Sequence, residues 1–147
     1  GRLSDLRPLT VITNNLAVIE ELSGVGGINL IALGGLYSKK FHGFFGLLAE
    51  DTLKSLRADV AFLSSSAIHG ASAFHQDQEV VQTKRLMMAA AARKYLLVDH
   101  GKFGRTALHF LTDLKAFDAV FTGRELEPGL REALDAAGVS LTLVEKH

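Results

Sequence analysis

The sequence predicts an α/β fold in which a mainly parallel sheet is flanked by helices. Short runs of β-branched and other apolar residues alternate with stretches whose apolar residues recur at helical spacing. Most of the strand-like runs are continuously apolar, as expected for strands that are covered on both faces. This alternation is typical of parallel strands joined through helices.

Six segments are predicted to be strands and four segments between them to be helices. The strands are Leu9–Thr13, Asn29–Leu33, Asp59–Ser64, Tyr95–Asp99, Asp118–Thr122 and Val139–Val144. The helices are Asn15–Leu22, Leu47–Leu56, Glu79–Lys94 and Glu127–Ala137. The stretch Ile68–Gln78 shows no periodicity, so it is predicted to be a loop.

Residues with known positional preferences support the helix boundaries. Asn14 is predicted to be the N-cap of the first helix. Gly24 and Gly138 stand where helix-ending glycines occur. Pro128 falls in the first turn of the last helix, where its missing N–H costs little.

Length and composition indicate one globular domain. The chain has 147 residues, of which 48% are hydrophobic, enough to bury a core. Its 16 Lys and Arg residues balance 16 Asp and Glu residues, so it lacks the basic surface with which a domain grips DNA phosphates. Without cysteine it forms no disulfide or thiolate metal site, which agrees with a reducing compartment.

The apolar runs and the first residues bear on location. Each apolar run is too short to cross a bilayer, so no membrane association is expected. Residues 1–15 lack the pattern of a secretory signal, and we therefore expect a cytoplasmic protein. The chain starts at Gly1 and reaches a strand almost at once, so we expect a fragment whose fold is truncated at its N-terminus.

Small and polar residues stand at the ends of the first four predicted strands. They are Thr13-Asn14-Asn15, Gly34-Gly35, Ser64-Ser65-Ser66 and Asp99-His100-Gly101-Lys102. Ligands of open α/β sheets bind outside the carboxyl ends of the strands. Hydroxyl, amide and glycine N–H donors together with the Lys102 ammonium suit a phosphate ester or a carboxylate. Ordinary capping of strand-to-helix junctions explains the same residues, and the two interpretations stay open.

Two charged residues of the third predicted helix add to this picture. Lys84 lies four residues after Val80 in an apolar stripe that includes Met87 and Ala91. Its ammonium is predicted either to reach water past the sheet edge or to project toward the strand ends. Glu79, near the helix start, either interacts with the helix dipole or hydrogen-bonds a sugar hydroxyl.

The histidines and glycines predict neither a metal site nor a cofactor. His69 and His75 lie in a predicted loop, and the sequence has no histidine pair four residues apart on a helix. The glycines at 24, 26 and 27 follow a helix and precede a strand, the reverse of the order in a dinucleotide-binding motif.

Six motifs follow one another along nearly the whole chain. They are Thr13-Asn14-Asn15, Leu33-Gly34-Gly35, Gly46-Leu47-Leu48-Ala49-Glu50, Ala58-Asp59-Val60-Ala61-Phe62-Leu63, Lys84-Arg85-Leu86-Met87 and Val98-Asp99-His100-Gly101-Lys102-Phe103-Gly104-Arg105. In this order and spacing they resemble the C-terminal effector-binding domain of the DeoR family of bacterial transcriptional regulators.

The resemblance implies a fold like that of ribose-5-phosphate isomerase and the CoA-transferases. It implies that residues 1–147 form a sensor domain of a repressor, which binds a phosphorylated sugar or a related metabolite and is not an enzyme. The family's winged helix-turn-helix is absent from this chain, so DNA is a partner only through that N-terminal domain. A homo-oligomer is also expected. The implied effector contacts are Thr13, Asn14, Asn15, Gly34, Gly35, Ser64, Ser65, Ser66, Lys84, Asp99 and Lys102.

The sequence departs from the family pattern at two places. The usual Asp/Ser-Gly-Thr-Thr turn, which helps to cradle a phosphate, does not occur in residues 1–10. Ala67-Ile68-His69 stands where many relatives have Gly-Ile-Asp.

Two other functions are compatible with the sequence. A sugar-phosphate isomerase needs a carboxylate placed to move a proton, and Asp77, Glu79 and Asp99 are candidates. Alternatively, the chain is mainly an oligomerisation module whose interface includes Phe41, Phe44 and Phe45, although these side chains are equally expected in the core.

Overall fold

The computed structural model describes residues 9–145. The chain forms two compact units, one ending at Ser55 and the other starting at Leu56. The expectation that residues 1–147 form one sensor domain stays a prediction. The segment that lacks the family's phosphate-cradling turn, residues 1–10, falls almost entirely outside the described part.

From Leu9 onward, the first unit combines two parallel strands, a hairpin and two helices. Its elements are β1 (Leu9–Thr13), α1 (Leu16–Leu22), β2 (Ile28–Ala32), β3 (Leu36–Ser38), β4 (Gly43–Phe45) and α2 (Leu47–Lys54). Strand β1 pairs with β2 in parallel, with Thr13 opposite Ala32, and β3 pairs with β4 in antiparallel fashion. The connection through α1 is the helical crossover that parallel pairing requires.

The start of α1 corrects one prediction. Asn15 is the N-cap, because its side-chain oxygen accepts a hydrogen bond of 3.1 Å from the Val18 N–H. Asn14, the predicted cap, donates from Nδ2 to the Phe44 carbonyl at 3.0 Å instead. The prediction for Asn14 was wrong because its amide is occupied by the β3–β4 hairpin.

The second unit, as described to residue 145, contains two sheets. Its elements are β5 (Ala58–Leu63), β6 (Ala67–His69), β7 (Ser72–His75), α3 (Gln78–Ala90), β8 (Ala91–Leu97), β9 (His109–Asp113), β10 (Ala119–Gly123), α4 (Pro128–Ala136) and β11 (Leu141–Val144), with 3-10 turns at His100–Lys102 and Leu114–Ala116. The larger sheet has the order β11-β10-β8-β5 and is parallel throughout. The smaller sheet, β6-β7-β9, is antiparallel. The predicted parallel sheet flanked by helices is therefore confirmed.

One face of the parallel sheet carries the core of this unit. Leu63, Leu96 and Val120 are buried there against side chains of α3 and α4. Residues at alternate positions point to the other face, where Phe62 is 68% exposed and its ring contacts Tyr95. The apolar runs are thus not covered equally on both faces, in contrast to the expectation.

The stretch Ile68–Gln78 was wrongly predicted to be a loop. It contains most of the β6–β7 hairpin, whose turn places Gly70 at a φ of +58°, a left-handed conformation that glycine adopts without strain. Strands of three and four residues are too short to show a period, which explains the error.

The helix predicted over Glu79–Lys94 is too long at its C-terminal end. Helix α3 ends at Ala90, and β8 begins at Ala91 without an intervening loop. Alanine favours helices, but pairing of this segment with β5, such as Arg93 opposite Val60, overrides that preference. Within residues 9–145, no helix is long and apolar enough to span a bilayer.

Gly35 offers a test of the packing in the first unit. A Cβ at this position would lie 2.5 Å from the Phe45 carbonyl oxygen, whereas a Cβ at Gly34 would meet no atom within 4 Å. Gly35→Ala is expected to lower the free energy of unfolding by about 1–3 kcal/mol. Gly34→Ala, the matched control, should change it by less than about 0.5 kcal/mol. Urea unfolding measures both, and equal effects would contradict the packing described.

Candidate functional site

The strand-end residues of the first unit share one edge of its parallel pair. Thr13 and Ala32 are register partners, and the Leu33 N–H donates to the Thr13 carbonyl at 2.8 Å. Thr13 is the last residue of β1, and Asn14-Asn15 come directly after it. Gly34-Gly35 come shortly after the end of β2. The structure thus brings these two predicted groups together within the unit.

The side chains at this edge are partly used by local structure. Thr13 Oγ1 accepts a hydrogen bond of 3.1 Å from the Asn15 N–H, and the Asn15 side-chain oxygen caps α1. In the part of the chain that the structure describes, the Thr13 hydroxyl proton and the Asn15 side-chain NH₂ group are not used as donors. The capping interpretation is correct for these residues, and donors nonetheless remain for a ligand.

The second unit brings two further strand-end groups to one edge of its parallel sheet. Ser64–Ser66 follow β5 and Asp99–Lys102 follow β8, whose ends are aligned because Leu63 pairs with Leu96. The Gly104 N–H donates to the Ile68 carbonyl at 2.7 Å, so the segments after the two strands are held together. This edge is the strongest candidate site that lies within a single unit.

Lys84 is directed to this edge from α3. Its Nζ lies 2.6 Å from the Ser64 carbonyl oxygen, 3.1 Å from Ser64 Oγ and 3.0 Å from His75 Nε2. A lysine ammonium has three N–H donors, and these three acceptors engage all of them. Of the two orientations left open by the sequence, the ammonium therefore adopts the one toward the strand ends.

His75 is a residue of this edge that the sequence prediction missed. It is 5% exposed, and its Nδ1 lies 2.8 Å from Ser66 Oγ. The pattern that could have indicated burial of His75 is weak. Ala73 and His75 alternate with less buried residues along β7, but this alternation covers only four positions.

The environment shifts the pKa values of both residues. Burial, followed by the positive charge of Lys84, lowers the pKa of His75 to about 4, against smaller opposing effects of the Ser64 carbonyl and Asp77. Burial lowers the pKa of Lys84 to about 8. At neutral pH the imidazole is therefore neutral and most of the lysine is protonated.

Ser65 and Ser66 differ in their surroundings. The Ser65 hydroxyl is buried and lies 3.0 Å from the Ala67 carbonyl and 3.1 Å from the Phe74 carbonyl, so it holds the β6–β7 hairpin to the end of β5. Ser66 is exposed beside His75. Of these two hydroxyls, that of Ser66 is the one accessible to a ligand.

The turn after β8 presents a cation. Asp99 caps this turn by accepting from the Gly101 N–H at 3.4 Å, and it also contacts His100 Nδ1 at 3.1 Å. Lys102 is half-buried, and its ammonium forms no hydrogen bond or ion pair with another residue between positions 9 and 145.

Glu79 lies exposed in the first turn of α3. The described residues include no group of three or more potential metal ligands.

Sequence comparisons establish the family. A family model described as the DeoR C terminal sensor domain matches residues 1–124. The chain belongs to this family. The resemblance expected from the sequence is thereby confirmed.

Curated relatives of the chain are regulators of transcription. The L-fucose operon activator of Haemophilus influenzae is 35% identical over 126 residues, which are 85% of this chain and 51% of the relative. The lactose phosphotransferase system repressor of Lactococcus lactis is 34% identical over 121 residues, 82% of this chain and 47% of the relative. The glycerol-3-phosphate regulon repressor of Escherichia coli is 32% identical over 115 residues, 78% and 46% respectively. The chain thus spans about half the length of these relatives.

The low pKa of His75 predicts a loss of stability in acid. The folded state holds this pKa near 4, below the ordinary value of 6.5, so the unfolded state binds the additional proton between these values. The contribution of His75 to the free energy of unfolding is complete above pH 6.5 and decreases toward pH 4, by up to about 3 kcal/mol.

Urea unfolding at pH 7 and pH 4.5 measures this effect. His75→Gln should reduce the difference in stability between the two pH values. The control His69→Gln, at an exposed position, should retain it. A His75→Gln variant as sensitive to acid as the unsubstituted chain would contradict the assignment.

Proposed function

We propose that this chain is the effector-sensing part of a cytoplasmic DeoR-family transcriptional regulator and that its effector is a phosphorylated sugar or a related metabolite. The observation that carries the proposal is the edge of the parallel sheet at which Ser66, the Asp99–Lys102 turn and Lys84 lie. This edge offers the Ser66 hydroxyl and the Lys102 ammonium as donors, which suit an oxygen anion. The Lys84 ammonium adds positive charge there, although its own donors are engaged within the protein.

The charge at this edge favours a phosphate over an uncharged sugar. The Lys102 ammonium has no ionic partner among the residues described, so a ligand anion would not compete with an existing ion pair. The Asp99 carboxylate is directed to the Gly101 N–H and to His100. A charged hydrogen bond to Lys102 would contribute on the order of 1.5–3 kcal/mol to binding.

The names of the relatives support a sugar-related effector. They refer to the L-fucose operon, the lactose phosphotransferase system and the glycerol-3-phosphate regulon. The contacts implied in the first unit remain part of the proposal: Thr13, Asn14, Asn15, Gly34 and Gly35. So do Ser64, Glu79 and Asp99 in the second unit. Ser65 and Lys84 are not retained as direct side-chain contacts, because the Ser65 hydroxyl is buried against two backbone carbonyls and the Lys84 donors are engaged within the protein.

Regulation requires that the effector distinguish two states of the complete protein. We assign DNA binding to an N-terminal domain outside this chain, and we propose that the protein acts as a homo-oligomer. An effector that binds both states with equal affinity changes nothing. A tenfold change in operator affinity needs about 1.4 kcal/mol of coupling between the two sites.

The isomerase alternative is not favoured. The relatives are named as transcriptional regulators, and catalysis would need a carboxylate positioned as a base. Glu79 is exposed, and Asp99 caps a turn. The neutral His75 next to Lys84 is a poor base, since burial and then the lysine charge oppose its protonation.

Binding to Lys102 is tested with the intact protein and a panel of sugar phosphates. A ligand of the folded state raises the melting temperature, and we expect this for phosphorylated sugars but not for the corresponding free sugars. Lys102→Ala should weaken binding by about 1.5–3 kcal/mol in a calorimetric titration.

Lys115→Ala is the matched control. Lys115 lies in the turn before β10, at the opposite edge of the sheet, so its replacement should leave the affinity unchanged. Equal affinities of the two variants would refute the role of Lys102.

A further inference from the structure

We propose that Lys84, His75 and Ser66 form a polarised chain of hydrogen bonds that directs the Ser66 hydroxyl proton toward the effector. Ser66 is then a ligand contact, whereas His75 and Lys84 are positioning residues that act through it. This assignment rests on the proposed function and adds a specificity rule: the ligand must present a hydrogen-bond acceptor, such as a phosphate or carboxylate oxygen, to Ser66.

Lys84 sets the donor-to-acceptor direction of this chain of hydrogen bonds. An ammonium group donates hydrogen bonds and accepts none, so the contact of 3.0 Å between Lys84 Nζ and His75 Nε2 makes Nε2 an acceptor. A neutral imidazole that accepts at Nε2 carries its proton on Nδ1. The lysine therefore selects one of the two histidine tautomers.

The Ser64 carbonyl is a second group facing Nε2, and it would favour the other tautomer. It lies 3.3 Å from Nε2 but only 2.6 Å from Lys84 Nζ. The shorter distance shows that this carbonyl is primarily an acceptor for the lysine. Asp77 also acts on His75 through its negative charge, yet burial and Lys84 dominate and keep the ring neutral.

The proton on Nδ1 decides how Ser66 is oriented. Nδ1 lies 2.8 Å from Ser66 Oγ, so the ring donates and the hydroxyl oxygen accepts. The hydroxyl must then direct its own proton away from His75. Ser66 is exposed, and no other residue between 9 and 145 accepts this proton. The proton is thus available to a ligand without rearrangement of the site.

Histidine tautomers can be measured without a ligand. Two-bond ¹H–¹⁵N correlation spectra of the intact ¹⁵N-labelled protein at pH 7 should show His75 protonated on Nδ1. Lys84→Met removes the donor and should shift His75 toward protonation on Nε2, with donation to the Ser64 carbonyl. Lys84→Arg keeps a donor and should retain the Nδ1 tautomer. A wild-type protein protonated on Nε2 would overturn the proposal.

Binding of inorganic phosphate, followed by ³¹P NMR line broadening, tests the role of Ser66. Ser66→Ala should weaken binding about tenfold, the loss expected for one hydrogen bond to a charged group. Ser140→Ala, an exposed serine before β11, is the matched control and should bind as the unsubstituted protein does. Lys84→Met should weaken binding more than Lys84→Arg does.

The outcomes separate this proposal from the proposed function. If Ser66→Ala retains full affinity while Lys102→Ala loses it, the hydrogen-bond chain is refuted and the sensor assignment stands. If the unsubstituted protein binds no phosphate at millimolar concentration, both are contradicted. The Nδ1 tautomer together with weakened binding in Ser66→Ala supports both.

Discussion

The hydrogen bonds of the Lys84 ammonium join the elements on which the candidate site of the second unit depends. Through them α3 is connected to the end of β5 at Ser64 and to the end of β7 at His75. A partly buried cation is costly unless its donors are satisfied, and here three acceptors surround the Lys84 ammonium. The same contacts fix the imidazole in one tautomer. An interaction that stabilises the fold therefore also determines which groups the strand ends present.

The sheet was predictable because its strands contain apolar runs and two of its three connections, β5 to β8 and β10 to β11, contain a helix with an apolar face. Segments such as Ala58–Leu63 and Ala119–Gly123 lie within a residue or two of their predicted positions. The hairpins β3–β4 and β6–β7 were not predicted, since strands of three or four residues carry no measurable period. The boundary between α3 and β8 was misplaced because the alanine-rich segment around Ala91 favours a helix locally and becomes a strand only through pairing with β5.

The site was predictable in part for a topological reason. Parallel strands end at the same edge, so residues after β5 and β8 are brought together whatever their side chains are. The individual roles depended on tertiary contacts. Ser65 holds a hairpin and Asn14 binds the Phe44 carbonyl, yet both match the same sequence motifs as Ser66 and Asn15. His75 could not be assigned because its role depends on its contact with Lys84. That contact forms only when β7 and α3 pack together in the folded protein.

Mapping of backbone amide chemical shifts during titration with inorganic phosphate tests the central claim most directly, since it locates the bound anion without a substitution. The account predicts that the largest changes occur at residues 64–66 and 99–104, at the carboxyl ends of β5 and β8. Residues 114–118, before β10 at the opposite edge of the sheet, should be unaffected. Changes concentrated at residues 114–118, or none at residues 64–66, would contradict the assignment of this edge as an anion-binding site.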